Sequence, residues 1–183
     1  LLLMLPFSQN GSEPGSIMHA LFTATSAATV TGLIIVDTPT FWSLPGQIVI
    51  VALMFMGGLG IMTIAAALFV IAGQRASLSQ RLIMRETTGA TGFTNITNIT
   101  ARIFIWALLI QAIGFSLLFI RFVFLYPPLT AAWHAFFQGV SAFNNAGFTS
   151  IPDSASLSIF LTDNLVLGIV SGLIIVGSLS YWV

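Results

Sequence analysis

One phrase of fifteen residues occurs twice in this chain. The first copy, HALFTATSAATVTGL, begins at His19, and the second, HAFFQGVSAFNNAGF, begins at His134, 115 positions later. Six of the first fourteen paired positions are identical without a gap, and the chain has only two histidines. Each copy has helical character over about thirteen residues, fewer than the ~20 that a helix needs to cross a bilayer. Any fold for this chain must therefore contain two equivalent short helices, each followed by a matched glycine.

The composition places the chain in a membrane. Hydrophobic residues make up 57% of it and charged residues 5%, and the mean hydropathy is +1.03, whereas soluble domains carry about 25% charged residues. The net charge is zero, which excludes the basic surface that nucleic acid requires. The absence of cysteine excludes disulfides and zinc-thiolate sites. We expect an all-α, multi-pass protein in contact with membrane lipid and without a nucleic-acid partner.

The apolar runs predict three membrane helices, at residues 45–73, 102–126 and 162–183, the last of them truncated. The short helices at 16–28 and 130–143 are then re-entrant half-helices. Four of the five arginines lie in or just after the stretch between the first two spans, so residues 74–101 are predicted to be a cytoplasmic loop. Residues 1–73 read as the end of one repeat and residues 102–183 as a second, within a fragment of a longer protein.

The stretches after the half-helices, residues 29–33 and 144–148, are the candidate site; we call them the first and second filter segments. Their β-branched residues and glycines disfavour helix, and irregular backbone at membrane depth must line a cavity or be buried in protein. Carbonyl oxygens there can replace the hydration shell of a monovalent cation, aided by the negative end of the half-helix dipole. Tight helix packing is the alternative for small residues, and the duplication favours the filter. The predicted ion-binding positions are Thr29, Val30, Thr31, Gly32, Asn144, Asn145, Ala146 and Gly147.

The phrases TSAATVTGL and VSAFNNAGF, with GGLGIMT in the following helix, resemble the Trk/Ktr/HKT superfamily of potassium transporters, in particular the bacterial Trk and Ktr membrane subunits. The resemblance implies four membrane–pore-loop–membrane repeats around one pore, of which this chain holds about one and a half. It also implies a homodimer in the bacterial inner membrane and a cytoplasmic nucleotide-binding regulatory subunit that contacts the loop at residues 74–92. K⁺ is then the transported ion, with no bound cofactor. Gly32 matches the potassium-selective pattern, since the sodium-conducting plant branch has serine there.

Several other residues have two readings. Gly57, Gly58 and Gly60 suit close helix packing or, less well, a moving gate. Asp37 and Asp153 are predicted to concentrate cations at the pore mouth, although helix capping explains them almost as well. Gln111 is expected to make an interhelical hydrogen bond. The two histidines are expected at the membrane interface, near the outer starts of the half-helices.

Other functions fit less well. An enzyme needs converging nucleophile, base or metal ligands, whereas the histidines are distant and Glu86 is the lone inner acid, so no catalytic residues are predicted. A secondary transporter with broken helices also places irregular backbone at membrane depth, but its repeats are often inverted, and the two here share one orientation. A sodium-coupled or sodium-permeable symporter of the same superfamily is the nearer alternative.

Overall fold

The computed structural model describes residues 2–10, 16–60, 96–152 and 157–179. Within these ranges the chain is helical, with one isolated β-bridge between Gln9 and Trp42 and no strand, which confirms the predicted all-α fold class. Three 3₁₀ turns lie at Leu2–Met4, Pro6–Ser8 and Ser158–Phe160. The α-helices are α1 (Ile17–Ala28), α2 (Thr38–Phe41), α3 (Leu44–Leu59), α4 (Ile96–Phe122), α5 (Pro128–Phe143) and α6 (Asn164–Leu179).

Helices α1 and α3 each begin at a capping serine. Ser16 Oγ accepts a hydrogen bond from the backbone N–H of Met18 at the start of α1, and Ser43 Oγ accepts one from that of Gly46 at the start of α3. Helix α3 ends at Leu59 because Gly60 follows with φ +76°, a left-handed conformation that stops a helix. The helix predicted over residues 45–73 therefore does not continue through Gly60, and residues 61–73 lie outside the described residues.

Helix α4 begins at Ile96, so residues 96–101 are helical and do not belong to the predicted loop of residues 74–101. The prediction started the helix at Arg102, where the apolar run begins, but a membrane helix can extend beyond the hydrocarbon with polar residues. The helix ends at Phe122 rather than at residue 126. Pro127 disfavours helical backbone at Tyr126, the residue before it, so the helix cannot include residue 126.

Within the described residues, one helical stretch is long and apolar enough to cross a bilayer, Arg102–Phe122 in α4. At 1.5 Å per residue its 21 residues cover about 31 Å, close to the ~30 Å of a hydrocarbon core. Helices α3 and α6 have 16 described residues each, or about 24 Å. Helix α4 is thus the spanning element against which the second half-helix packs.

The start of α6 is held by an acid that serves two groups. Asp163 accepts the backbone N–H groups of Leu165 and Val166, at 3.2 and 3.3 Å, which is the geometry of an N-cap. Its other carboxylate oxygen accepts the Nε–H of Arg121 at 2.7 Å. Arg121 lies in the last turn of α4, so this pair ties the end of one long helix to the start of the next.

The described helices form two packed groups. Helix α1 packs on α3, while α4, α5 and α6 pack on one another, and α3 contacts α5 across the boundary between the repeats. At that boundary the indole N–H of Trp133 donates to Gln47 Oε1 at 2.7 Å. The C-terminal half of α5 is consequently buried on nearly every side, which fixes the position of the segment that follows it.

Candidate functional site

The first half-helix ends in a left-handed turn at Val30. Val30 has φ +52°, and its N–H donates to the carbonyl of Ala27 at 3.2 Å. The N–H of Thr31 donates to the carbonyl of Ser26 at 2.9 Å, which completes a Schellman-type helix end. A β-branched residue at positive φ is an outlier among protein residues. The surrounding structure therefore holds Val30 in a strained conformation, as is often found at functional sites.

The second half-helix ends in the same turn. Asn145, 115 positions after Val30, has φ +58°, and its N–H donates to Ala142 at 3.1 Å. The N–H of Ala146 donates to the carbonyl of Ser141 at 2.8 Å. Asparagine adopts this conformation more readily than valine does. The two filter segments thus leave their helices with the same backbone geometry. The residue at positive φ is an asparagine, which tolerates it, in the second repeat and a valine, which does not, in the first.

The first side chain of each filter segment folds back onto its own helix. Thr29 Oγ1 donates to the carbonyl of Thr25 at 2.8 Å, and Asn144 Nδ2 donates to that of Val140 at 2.9 Å. Both are bonds to the residue four positions earlier, and the second copy keeps the bond although the residue type has changed. The hydroxyl of Thr29 is therefore engaged with its helix, whereas Asn144 Oδ1 is buried and has no hydrogen-bond partner among the described residues.

The two filter segments touch through their glycines. Gly32 has φ +76° and Gly147 has φ +72°, a region that favours glycine. A Cβ at Gly32 would lie 2.5 Å from the carbonyl oxygen of Ala146 and 3.2 Å from Cα of Gly147. A Cβ at Gly147 would lie 3.5 Å from Cα of Gly32, which is an ordinary contact. Any side chain at Gly32 therefore collides with the other segment.

The C-terminal ends of the two half-helices each pack against one of two adjacent glycines of α3. A Cβ at Gly57 would collide with the carbonyl oxygen of Ala28, and one at Gly58 with the side chain of Asn144. Ala28 is the last residue of α1 and Asn144 caps α5, so the two C-terminal ends converge on one turn of α3. This close approach favours a packing role for Gly57 and Gly58.

Two further glycines complete the comparison. In the second repeat, a Cβ at Gly177 of α6 would collide with the carbonyl oxygen of Phe143, the last residue of α5. Gly177 therefore stands to the second half-helix as Gly57 stands to the first. Gly60 differs, because no heavy atom of the described residues lies within 4 Å of a Cβ built there. Its role in the described residues is to end α3 by its positive φ.

A cleft of about 190 Å³ lies beside the glycine contact. Gly32 and Gly147 line it together with Asp37 and Thr149. The carboxylate of Asp37 is exposed and accepts the hydroxyl of Thr40 at 2.6 Å. Asp37 thus lies in the same cleft as the two filter glycines, and its side chain does not cap α2. Asp153, the other predicted pore-mouth acid, lies outside the described residues.

Two polar residues differ from the sequence expectation. His134 is buried, with 6% of its surface exposed, and its ring contacts Tyr126 and Ser150 inside the protein. Gln111 lines an apolar groove of about 690 Å³ between α3, α4 and α5. Neither atom of its amide group has a hydrogen-bond partner in the described part of the chain, so the expected interhelical bond is not seen there.

Sequence reasoning also missed two residues that hold the second filter segment and its continuation. Ser141 Oγ donates to the carbonyl of Phe148 at 2.7 Å, and His134 Nδ1 lies 2.8 Å from Ser150 Oγ. The only available signal was that serine and histidine recur in both copies of the phrase. That recurrence points to the residue on the helix that makes each bond, but it does not identify the carbonyl or hydroxyl group that the residue bonds to.

Two helix ends bring partial negative charge to the candidate site. In the described ranges no three His, Cys, Asp or Glu side chains come together as a metal cluster. The C-terminal ends of α1 and α5 converge on one turn of α3, and each is equivalent to about half a negative charge. Uncharged carbonyl oxygens in a ring suit a weakly hydrated monovalent cation, and Asp37 adds a full negative charge at the cleft.

Comparison with known proteins shows the family of this chain. A family model described as TrkH, cation transport protein, matches residues 3–183. The chain is 42% identical to Ktr system potassium uptake protein B of Vibrio alginolyticus and 37% identical to the protein of that name from Bacillus subtilis, in each case over 100% of this chain. It is 36% identical to potassium/sodium uptake protein NtpJ of Enterococcus hirae over 98% of this chain. These matches cover 39%, 40% and 40% of the three relatives, so the chain spans about two fifths of their length.

Proposed function

Because the chain belongs to the TrkH family of cation transport proteins, an integral membrane family of transporters rather than enzymes, we propose that it forms part of a potassium uptake pore in a bacterial inner membrane. The first and second filter segments supply two sides of the selectivity filter. Their backbone carbonyls replace part of the hydration shell of K⁺. Asp37 raises the local concentration of cations at the outer mouth, and Asp153 is proposed to do the same.

The observation that supports this function most strongly is the convergence of the two half-helix ends. Both helices end in the same left-handed turn, at Val30 and Asn145, and both ends meet α3 at Gly57 and Gly58. Helix packing alone gives no reason for two segments of irregular backbone to lie side by side. A cation bound between them gives such a reason, because it is attracted to the negative ends of both helix dipoles.

The other sides of the filter are proposed to come from the rest of the polypeptide. Two filter segments make half of a four-sided ring, and an incomplete ring would leave peptide carbonyls facing lipid, at a cost of several kcal/mol for each unsatisfied group. The word "system" in the names of the Ktr relatives supports further components. We therefore propose a homodimer and a cytoplasmic nucleotide-binding regulatory subunit, with its contact at residues 74–92, outside the described residues.

The experiment is rubidium and potassium uptake by the full-length protein that contains this chain, expressed in a bacterium lacking its own potassium uptake. Gly32→Ser is expected to reduce the preference for potassium over sodium, because the new side chain collides with the carbonyl of Ala146. Gly168→Ser is the matched control, since a Cβ at Gly168 of α6 meets no heavy atom within 4 Å. Wild-type protein without potassium uptake refutes the proposal, and unchanged selectivity in Gly32→Ser removes Gly32 from the filter.

A second candidate, sodium-permeable or sodium-coupled uptake, is supported by the name of the Enterococcus hirae relative, a potassium/sodium uptake protein. The two candidates differ in their need for sodium. Coupled uptake requires rubidium flux to fall when external sodium is replaced by an impermeant organic cation. A potassium pore without coupling keeps its rubidium flux under the same replacement.

A further inference from the structure

The stretch that follows Gly147 is buried although it has no regular secondary structure. Phe148, Thr149 and Ser150 are 1%, 8% and 2% exposed, and no helix or strand includes them. Buried irregular backbone needs hydrogen-bond partners for its polar groups. Two side chains of α5 bond to this stretch, one to a backbone carbonyl and one to a side-chain hydroxyl.

Those two side chains lie on one face of α5. Ser141 Oγ donates to the carbonyl of Phe148 at 2.7 Å, and His134 Nδ1 lies 2.8 Å from Ser150 Oγ. Positions seven residues apart share a helix face, so the stretch runs back along α5 and is fastened at two points. Both fastening residues are buried, at 1% and 6% exposure for Ser141 and His134.

The first repeat has the helix side of both contacts but not the contacts themselves. Ser26 and His19 stand 115 positions before Ser141 and His134. Ser26 Oγ and His19 Nδ1 are buried and have no hydrogen-bond partner among the residues that the structure describes. Ile35 stands where the second repeat has Ser150, and isoleucine has no hydroxyl to offer. The serine and histidine shared by the two half-helices thus hold the following stretch in the second repeat. In the first repeat they make no such bond among the described residues.

We propose that Ser141 and His134 are positioning residues that clamp the stretch after Gly147, so that the second repeat provides a rigid side of the filter and contributes to its selectivity. This inference rests on the proposed function. A carbonyl held by Ser141 is turned toward α5 and is withheld from an ion, and the neighbouring peptide of Gly147 is fixed with it. In the first repeat the equivalent carbonyl, that of Leu33, lacks such a side-chain bond among the described residues, and the segment adapts to the ion.

The test is the potassium-to-sodium uptake ratio of Ser141→Ala in the full-length protein. We expect the ratio to fall about fivefold, the change that corresponds to the loss of one neutral hydrogen bond. Ser141→Cys keeps the volume but donates weakly and is expected to behave like Ser141→Ala. Ser26→Ala is the matched control, because it removes a hydroxyl at the equivalent helix position that bonds to no following segment among the described residues. Its potassium-to-sodium uptake ratio is expected to change less than about twofold.

Two outcomes overturn the clamp while leaving the proposed function intact. In the first, wild-type protein takes up potassium and Ser141→Ala keeps the wild-type ratio, even if potassium and sodium uptake both fall. In the second, Ser26→Ala loses as much selectivity as Ser141→Ala. Should Ser141→Ala not reach the membrane, Ser150→Ala removes the other fastening point from the strand side. Selectivity unchanged in Ser150→Ala also overturns the clamp.

Discussion

Gly32 lies directly against the carbonyl of Ala146, so that the first filter segment leaves no room for a side chain where it meets the second. The ideal Cβ at Gly32 is 2.5 Å from that oxygen, whereas a Cβ at Gly147 is 3.5 Å from Cα of Gly32. Both glycines have positive φ. The two positions therefore share the conformational requirement for glycine and differ in crowding.

This difference predicts an order of severity for two matched substitutions. Gly32→Ala and Gly147→Ala each place a side chain at positive φ, at a cost of about 1–2 kcal/mol. Gly32→Ala adds about 1–3 kcal/mol of overpacking against fixed backbone. We expect Gly32→Ala to lower the folded yield in detergent, and rubidium uptake, more than Gly147→Ala does. Equal loss in the two variants would show that crowding at Ala146 is unimportant.

Val30 is the second position at which a substitution has a predictable direction. Val30→Asn places at φ +52° a residue that tolerates this conformation, and it copies Asn145 of the second repeat. We expect the free energy of unfolding to rise by about 1 kcal/mol, measured as a higher melting temperature in detergent. The reverse exchange, Asn145→Val, is expected to lower the melting temperature. A decrease for Val30→Asn would mean that packing around valine outweighs the strain.

Acid should release the bond between α4 and α6. Burial opposes ionisation of Asp163, but its hydrogen bonds from Arg121 and from the backbone of Val166, with the charge of Arg121, outweigh that effect and hold the pKa of the carboxyl below its ordinary value. A depressed pKa contributes stability that is fully present above the unfolded-state pKa, about 3.9, and is lost as the pH falls through the folded-state pKa.

We therefore expect the folded fraction in detergent to stay constant from neutral pH to about pH 5 and to fall below about pH 4. Asp163→Asn keeps the helix cap but removes the charge, so the fall should become shallower. Asp163→Ala removes both and should be less stable than Asp163→Asn at neutral pH. An acid transition that is identical in wild type and Asp163→Asn would assign it to other carboxyls.

Asp37 should matter most when salt is low. Its exposed carboxylate lines the cleft beside Gly32 and Gly147, and the Debye length is about 10 Å at 0.1 M ionic strength and about 30 Å at 0.01 M. Asp37→Asn is expected to reduce uptake several-fold at low ionic strength and little at high ionic strength, with a larger effect when Asp153→Asn is added. A loss that does not depend on salt would indicate misfolding instead of lost attraction.

The helical class and the family could be predicted from the sequence because hydropathy and a gap-free repeat can be read without knowing how the helices pack. The left-handed turn at Val30 could not, because β-branched residues avoid that conformation. In the structure Val30 packs against a buried cluster that includes Ala146 and Phe148 of the second repeat. The burial of His134 was missed for a related reason. A histidine at the start of an apolar half-helix looks interfacial until α4 and α6 are known to surround it.

Helix boundaries show the same division. The end of α4 at Phe122 could have been read from Pro127 and Pro128, since proline restricts the residue before it. The end of α3 at Gly60 depends on a φ of +76° that one glycine in the run GGLG adopts and its neighbours do not. Pattern alone cannot choose among three closely spaced glycines, whereas the contacts of Gly57 and Gly58 with the half-helix ends leave Gly60 as the residue free to turn.

The convergence of two helix C-termini on Gly57 and Gly58 has a thermodynamic consequence. Two like partial charges held together repel each other, so the site without an ion is the less stable form of the fold, and a cation that binds only the folded state stabilises it by mass action. Under the proposed function, the transported ion is then also a structural ligand. Potassium depletion during purification should lower the melting temperature, and the midpoint should rise with the logarithm of potassium concentration once that concentration exceeds the dissociation constant.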